Sequence, residues 1–555
     1  MRPSTSVHAS ELLTHFVDEY SNFVYEAFPT EACADGIHLH DDLLEDFGRS
    51  AIDRITRELG GWARRLDGIN PSGLTKEETL NRRLLGDCIR SRMYSLEQTR
   101  EWERSPLYYA DTLLNSLASQ VFIEYADLPA RARRISSKLR QAPRLLEAAR
   151  ENVTESSGLF VRVGINAFED ILQLVERQLP SAFRDLADMH LLSDLADASG
   201  ETIDALRSYI DHLRENVAPR SRASFRLGAE IFGEKLRLGE GIDIPLERLI
   251  KVALTELGEV QEEFRRIARE VDPDPSEALR KVKSHKPVDS SSIEFADAQV
   301  RKLREFIERK RVVTIPENKG VVITPTSRFY RPGFKSIWLS GPFETTSTIA
   351  RLNIMRLQQS GPGDEQAVVT EGCGYSSFAS MMMQEVFPGR FLNSEHLRNI
   401  TTRLRKSRLF AATSFVDGWA NYSEQVMLEQ GFESKSPEVK LGQLSEVLIG
   451  LCRTIVGIRL HAEDLSVEQG MRFFRDEAYL NESDARAESE QGTFDSDYVL
   501  GALGRQMLVK LRQDCEAARP DSFDLMRFHD QLLGQGALPF WMHRALLLGS
   551  GTMLD

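Results

Sequence analysis

The 555-residue chain contains only five cysteines, and no two of them form a Cys-x-x-Cys pair. A disulfide framework or a cysteine-rich zinc module is therefore not expected. The opening residues, MRPSTSVHAS, lack the apolar stretch of a secretion signal. No apolar run approaches the ~18–20 residues that a membrane helix needs. These absences predict a reducing, cytoplasmic location and no membrane partner.

The chain also lacks an excess of basic residues. Lys and Arg number 70 against 84 Asp and Glu, which gives a formal net charge of −14. Proteins that bind nucleic acid by neutralising phosphates usually carry the opposite sign. The basic residues between Arg131 and Arg144 fit the solvent-exposed face of an amphipathic helix better than a phosphate-binding surface. We therefore expect no nucleic-acid partner.

The dominant hydrophobic pattern has the helical period. Hydrophobic residues make up 41% of the chain and charged residues 28%, as in ordinary globular proteins. Apolar residues recur every three or four positions, and Thr75 with Glu78 forms a capping-box pattern. The spacing predicts helices over 10–28, 41–67, 75–102, 128–152, 166–179, 201–216 and 245–271. The fold class is therefore mainly α.

The segment 311–342 differs from the rest. Its β-branched runs lie at 312–315 and 321–324, with a third short run at 336–339, and Pro and Gly residues separate them. This pattern predicts a small sheet of two or three strands. No change in composition marks a domain boundary, so we expect one helical domain over 1–555 with the sheet as an insertion.

The stretch ADGIHLHDD contains two histidines and three aspartates, at 35, 38, 40, 41 and 42. A His-x-His pair can bind metal when both imidazoles point to one side. Here the cluster precedes the helix expected over 41–67, where Asp41 or Asp42 would cap the first turn. We favour the capping interpretation over a metal site.

The region 371–431 combines acids with helical spacing. Gln384 and Glu385 end an apolar run and precede Pro388–Gly389. Asp417 and Glu424 are seven residues apart, about two helical turns, so both carboxylates can face one side. The acids fit either a metal or acid–base pocket, or a buried network paired with Arg390, Arg403 or Arg453.

Two stretches of this region carry a family resemblance. QEVFPGRF at 384–391 and FVDGWANYSEQVMLEQGF at 415–432 resemble a bacterial family classed as a domain of unknown function. The members of that family that look active read roughly HExxPGHH and then FEGWALYxEQxMxExGF. The resemblance extends to 29–42, 451–470 and 523–540. The family looks like the carboxypeptidase Taq type of zinc metallopeptidase, which implies a long helical body with a central cleft that the sheet at 311–342 lines.

This chain departs from that family pattern at the zinc ligands. Gln384 replaces the first zinc histidine, and Arg390 and Phe391 replace the two histidines after Pro-Gly. Asp417 replaces the glutamate that the resemblance implies as third ligand. Glu385, of the catalytic type, is retained. So are Glu424, Arg453 and His461, whereas a tyrosine of the family falls at Gly501.

The departures remove what zinc chemistry requires. A catalytic zinc needs three protein ligands and one open position, and its glutamate base works because the metal lowers the pKa of water to about 7. Gln is a weak ligand, Phe391 has no donor atom, and Arg390 places a permanent charge where the cation should lie. We expect no zinc at this site, no other cofactor, and an arginine that pairs with Glu385 or Asp417.

The leading hypothesis is a metallopeptidase-fold protein with a degenerate zinc site that lacks peptidase activity. It would bind a small-molecule or peptide-like ligand, or a protein partner. Glu385 would be the catalytic remnant. The expected pocket residues are Gln384, Arg390, Asp417, Trp419, Tyr422, Glu424, Arg453 and His461. Trp419 is expected to be buried as a structural anchor.

Two rival hypotheses remain. One is an active hydrolase or lyase that uses Glu385, Asp417, Glu424 and His461, with or without a metal other than zinc. The other is an interaction protein with no occupied cleft. Metal content distinguishes the first rival from the leading hypothesis, and stabilisation by a ligand distinguishes the second.

Overall fold

A computed structural model describes residues 5–284, 293–317, 320–325, 337–346, 350–354 and 375–549. Its contacts divide the chain into two compact units. Unit 1 comprises Met1–Phe225, Arg328–Arg351 and Thr401–Phe410. Unit 2 comprises Arg226–Ser327, Leu352–Ile400 and Ala411–Asp555. Each unit is assembled from three separate segments of the chain. A division of this kind leaves no single boundary in the sequence, and the single domain was expected because no change in composition marks one.

Unit 1 contains the helices α1 to α10 and α17, and unit 2 contains the others. The bounds are α1 Thr5–Ala27, α2 Pro29–Asp35, α3 Arg49–Asp67, α4 Lys76–Tyr94, α5 Glu101–Arg104, α6 Leu107–Phe122, α7 Leu128–Asn152, α8 Gly158–Gln173, α9 Leu179–Ala182, α10 Met189–His212, α11 Ala229–Lys235, α12 Leu246–Ala268, α13 Pro275–Ser284, α14 Ile293–Lys310, α15 Tyr375–Glu385, α16 Arg390–Arg398, α17 Arg403–Lys406, α18 Thr413–Glu429, α19 Pro437–Ala462, α20 Val467–Ala478, α21 Glu482–Phe494, α22 Leu500–Ala518, α23 Leu525–Gly534 and α24 Phe540–Leu548. The mainly helical fold class is confirmed.

Local signals located several helices well. The prediction for 128–152 matches α7. Asp127 caps its N-terminus and accepts the Ala130 N–H at 2.7 Å. Thr75 and Glu78 form the expected capping box at the start of α4. The prediction for 41–67 was wrong at its start, because α3 begins at Arg49 after an N-cap glycine. Asp41 and Asp42 therefore do not cap it.

The sheet has three strands, β1 Val321–Pro325, β2 Ile337–Trp338 and β3 Ala350–Ile354, in the order β1-β3-β2. Two of the three expected runs are strands, but β3 was missed. The run at 312–315 is not a strand in the described chain. Its backbone is satisfied by side chains instead: the Val312 carbonyl contacts the His529 ring at 2.7 Å, and Asp530 accepts the Thr314 N–H at 2.8 Å. The central cleft, and the place of the sheet on its wall, stay predictions.

The helix α19 is long and apolar enough to cross a membrane, by length and composition alone. The sequence contains no uninterrupted apolar run here, because Arg453 and Arg459 lie within the apolar part of α19. Within the apolar window, 72% of the helix is buried inside the protein. A core helix meets the same length and composition criteria as a membrane helix, and the burial of α19 is that of a core helix.

The basic side chains of α7 do not all lie on a solvent-exposed face. Arg131 is 9% exposed and donates to the carbonyls of Gln120 and Ala126 at 3.0 and 3.1 Å. Lys138 is fully buried and its Nζ donates to the Ser116 carbonyl at 3.2 Å. The expectation of solvent exposure was therefore wrong for these two residues. Arg131 thereby satisfies the Gln120 carbonyl, one of the last four carbonyls of α6, which lack intrahelical partners.

Two glycines bring α18 and α22 of unit 2 into close contact. A Cβ atom at Gly418 would lie 2.6 Å from the Gly504 Cα, and one at Gly504 would lie 1.8 Å from the Ser414 carbonyl oxygen. Either distance is far below van der Waals contact, so the crossing tolerates no side chain at these positions. The close crossing fixes how far α18 is displaced along its axis and how it is rotated. This helix carries Asp417, Trp419 and Glu424.

Candidate functional site

The end of α15 and the start of α16 are joined by a short turn that contains a cis peptide bond between Phe387 and Pro388. A Cβ atom at Gly389 would lie 1.7 Å from the Gln384 carbonyl oxygen. Glycine is therefore required for the chain to fold back this tightly. Because of this turn, Arg390 at the first position of α16 lies next to Glu385 at the last position of α15.

The Arg390 guanidinium bridges two carboxylates. Its Nη1 is ion-paired with Glu385, and its Nη2 lies 2.8 Å from Asp417 Oδ1. Its Nε also lies 3.3 Å from the same Asp417 oxygen. Burial disfavours the charge of the guanidinium, yet Glu385 and Asp417 outweigh it and hold the pKa of Arg390 above its usual value. Both ion pairs that the sequence analysis proposed for Arg390 are present.

Glu424, the second acid of α18 at this site, is more deeply buried than Asp417. Glu424 is 3% exposed and its Oε2 accepts a hydrogen bond from Gln384 Nε2 at 2.8 Å. The same Gln384 nitrogen lies 3.1 Å from Ser380 Oγ. Burial raises the pKa of Glu424 to about 7, although the hydrogen bond from Gln384 lowers it in part. This carboxyl is therefore able to gain or lose a proton near neutral pH.

We expect Glu424→Gln to stabilise the protein at high pH. The folded-state pKa of about 7 lies above the usual 4.5, so ionising Glu424 opposes folding and stability falls as pH rises through 7. Gln stays neutral and keeps an acceptor for Gln384. Relative to wild type, the variant should gain ~2–3 kcal/mol in unfolding free energy between about pH 5 and about pH 9.

Urea unfolding of both proteins across this pH range measures the difference. The exposed Glu516→Gln is the matched control for removal of one carboxylate from the surface. A pH dependence of Glu424→Gln no larger than that of Glu516→Gln would contradict the prediction.

Trp419 and Tyr422 lie on the same helix as Asp417 and Glu424, and both are fully buried. Trp419 is 1% exposed, as expected, and its Nε1 donates to the Pro388 carbonyl at 2.8 Å. The Tyr422 hydroxyl lies 2.9 Å from His529 Nε2. Burial lowers the pKa of His529 to about 4, so the ring is neutral. Its Nδ1–H donates to the Val312 carbonyl, which leaves Nε2 to accept from Tyr422.

His529 was not singled out from the sequence, although it lies in the matched stretch at 523–540. Two other residues were expected in the pocket and have their contacts elsewhere in unit 2. Arg453 forms a two-pronged ion pair with Glu488, at 2.7 and 2.6 Å. His461 contacts the Gly492 carbonyl at 2.8 Å and stacks on Phe232. The described contacts thus join seven of the nine expected residues around α15, α16 and α18.

One further position faces the site. A Cβ atom at Gly501 of α22 would lie 3.6 Å from the Asp417 Cβ and 2.9 Å from the Asn421 side-chain amide. The family resemblance places a tyrosine at this position. In this chain the Asn421 amide lies where a larger side chain at 501 would begin, so the change at 501 belongs to the same set of departures as Gln384 and Arg390.

Comparison with known proteins identifies the family. The profile of DUF885, described as a bacterial protein of unknown function, matches residues 29–546. The chain belongs to DUF885. A search of curated proteins gives no match. The family resemblance found in the sequence is therefore confirmed at the level of DUF885, whereas the likeness to carboxypeptidase Taq stays a prediction.

Two solved structures share the fold of this DUF885 member. One, from Shewanella oneidensis, is described as a "putative lipoprotein of unknown function"; it is 20% identical, with a TM-score of 0.76, and the match covers 97% of this chain and 99% of that one. The other, described as a "putative lipoprotein" from Colwellia psychrerythraea, is 15% identical, with a TM-score of 0.77 and coverage of 96% and 97%. At these identities the likeness is one of fold.

Proposed function

We propose that this member of DUF885 is a metallopeptidase-fold protein without peptidase activity, in which the Arg390 guanidinium takes the place of the catalytic cation. It would bind a small-molecule or peptide-like ligand, or a protein partner. The observation that supports this proposal is the pairing of Arg390 with both Glu385 and Asp417. The acids of a zinc site are thereby neutralised without a metal.

A guanidinium can replace the charge of zinc but not its chemistry. It has no vacant coordination position and cannot lower the pKa of a bound water as zinc does. The Gln384 amide is hydrogen-bonded to Glu424, and Phe391 is 1% exposed with its ring 5.4 Å from that of Phe387. Glu385 therefore has no activated water to deprotonate, which supports loss of the hydrolytic step.

The proposal predicts that two substitutions create a zinc site. In Gln384→His/Arg390→His, two imidazoles would join Asp417, which gives the three ligands that a zinc ion needs. We expect the double variant to bind one zinc ion more per chain than wild type, measured by elemental analysis after dialysis. Adding Asp417→Asn should remove that extra ion.

The matched control is Gln384→His/Phe391→His. The side chain at position 391 is buried in the apolar interior, so its imidazole should not reach the acids and no zinc should be gained. The proposal would be overturned if the wild-type protein itself held a zinc ion that Glu385→Ala or Asp417→Ala removes.

One observation favours a second candidate, an acid–base hydrolase or lyase that does not depend on zinc. A buried carboxyl with a pKa of about 7, as Glu424 has, is suited to general acid–base catalysis at neutral pH. His461 is engaged with the Gly492 carbonyl, so the roles would fall to Glu424 and Glu385. A hydrolytic activity on peptide or ester libraries that survives chelators and is lost in Glu424→Gln would support this candidate.

The cytoplasmic location expected from the sequence remains our proposal. It rests on the low cysteine content of the chain. The two structural neighbours are each described as a "putative lipoprotein", and a lipid-anchored protein is recovered with membranes. Fractionation of cells that produce the native protein tests this: recovery in the soluble fraction supports the proposal, and recovery with the membranes contradicts it.

A further inference from the structure

Unit 1 contains a group of sulfur, nitrogen and oxygen donors that the proposed function does not use. Cys33 Sγ, one ring nitrogen of His38 and one carboxylate oxygen of Asp41 all lie within 4.8 Å of one another. Cys33 lies in the last turn of α2, and His38 begins a short 3₁₀ turn that ends just before Asp41. Gly36, with a φ of +84°, allows the chain to reverse between them.

The His38 ring is held in a defined orientation. Its Nδ1 lies 2.8 Å from Asp41 Oδ2, and its Nε2 lies 2.6 Å from Glu344 Oε2. The ring stacks on Tyr125 with a centroid distance of 3.8 Å. The other Glu344 oxygen accepts hydrogen bonds from the Thr346 N–H and hydroxyl, at 2.8 and 2.6 Å. Because Glu344 holds Nε2, the other ring nitrogen, Nδ1, is directed towards Asp41.

This orientation is built into the backbone around it. A Cβ atom at Gly36 would lie 2.6 Å from the Glu344 backbone nitrogen, and one at Gly341 would lie 2.0 Å from the Asp35 carbonyl carbon. The two segments are therefore in direct backbone contact, and the Phe343 N–H donates to the Asp35 carbonyl at 3.0 Å. Glu344 is fixed beside His38 by this contact rather than by a flexible side chain alone.

The contacts of Asp41 with His38 and Arg134 use only one of its two carboxylate oxygens. This residue is 1% exposed, and its Oδ2 contacts both His38 and, at 3.3 Å, Arg134 Nη1. Its Oδ1 is buried and makes no hydrogen bond of standard geometry among the described residues, although the Tyr125 hydroxyl interacts with the same carboxylate. A buried carboxylate oxygen without a partner is costly, and native structures rarely leave one unsatisfied. A bound cation would satisfy it.

We propose that Cys33, His38 and Asp41 bind one zinc ion, with Glu344 as the positioning residue that orients His38. Thiolate, imidazole and carboxylate together favour zinc over magnesium or calcium. Donors around tetrahedral zinc lie about 3.4 Å apart, so side-chain movements of the order of 1 Å would close the group. The carboxylate on His38 Nε2 matches the way metal-bound histidines are commonly held.

Zinc binding requires a neutral His38 imidazole and a Cys33 thiolate, so the ion displaces protons from its ligands as it enters. Arg134, 3.3 Å from Asp41, supplies a positive charge beside this carboxylate. This site differs from the capping role expected for Asp41 from the sequence, and from the expectation of no cofactor. It lies in unit 1 and does not depend on Arg390 or on the proposed function.

Titration of the full-length, metal-free protein with Zn²⁺ and with Co²⁺ tests the proposal. We expect one ion per chain, and a sulfur-to-cobalt charge-transfer band in the cobalt form. Cys33→Ser and His38→Gln should each weaken binding by about 100-fold or more, and Glu344→Gln by about 10–100-fold. The matched controls Cys88→Ser and His40→Gln change a thiol and a histidine outside the group and should bind as wild type does.

The cobalt spectrum and the alkylation of the wild-type protein test the proposal even if a variant fails to fold. Zinc should protect Cys33, but not Cys88, from alkylation as read by mass spectrometry. Absence of the charge-transfer band, equal alkylation with and without zinc, or failure to bind either ion would overturn the proposal. Because Glu385→Ala and Asp417→Ala leave this group intact, an ion that persists in those variants is distinguished from one held by the Arg390 acids.

Discussion

Replacement of Trp419 by alanine is expected to lower the free energy of unfolding by about 3–5 kcal/mol. Trp419 is among the largest fully buried side chains, and its ring packs edge-on against His529 with a centroid distance of 5.3 Å. Truncation would leave a large void between α18 and α23 and would remove the donor that satisfies the Pro388 carbonyl. We expect a lower urea midpoint with little change in slope.

Trp419→Phe separates the two contributions. It retains most of the apolar volume but leaves the Pro388 carbonyl without its donor, so the loss should be smaller, about 1–3 kcal/mol. The exposed Val252→Ala on α12 is the control for a truncation that creates no void, and should cost less than about 0.5 kcal/mol. Equal losses for Trp419→Ala and Trp419→Phe would show that the ring contributes little.

Arg390→Ala should cause the other large loss, about 3–5 kcal/mol, towards the lower end because Asp417 is about a third exposed. Without the guanidinium, the carboxylates of Glu385 and Asp417 would face each other with no cation between them. Arg390→Lys keeps a charge but has no planar fork to serve two carboxylates, so we expect an intermediate loss. Urea unfolding at neutral pH measures all three proteins.

A double-mutant cycle shows whether the loss comes from the unpaired acids. Asp417→Asn removes one negative charge, so Arg390→Ala should cost less in that background, by about 1–3 kcal/mol. The exposed Arg486–Glu468 pair of unit 2 is the matched control, and Arg486→Ala should change the free energy of unfolding much less than Arg390→Ala does. If Arg390→Ala were as mild as Arg486→Ala, the guanidinium would not be the cation of this site.

Much of the fold and part of the site could be predicted from the sequence, because the signals were local. The capping box of Thr75 and Glu78 spans four residues, and Arg390 lies five residues after Glu385 across a Pro-Gly turn. Helical periodicity likewise depends on neighbours three and four positions apart. Such patterns are read from the order of residues without knowledge of the tertiary structure.

The parts that were missed depend on residues distant in sequence. Glu344 lies 306 positions after His38, and nothing in either segment indicates the other. The β-branched run at 312–315 has the composition of a strand, but its backbone partners are His529 and Asp530 of a distant helix. Tertiary contacts override local propensity in such cases.

The separate segments of unit 1 have a consequence for synthesis of the protein. Its last segment, Thr401–Phe410, leaves the ribosome only after about 150 residues of unit 2 have been made. At about 5–20 residues per second, the early helices wait for roughly ten seconds or more before their final contacts become available. Unit 1 therefore cannot complete its folding in the order in which it is translated. No continuous fragment of the chain contains all of it without also containing much of unit 2.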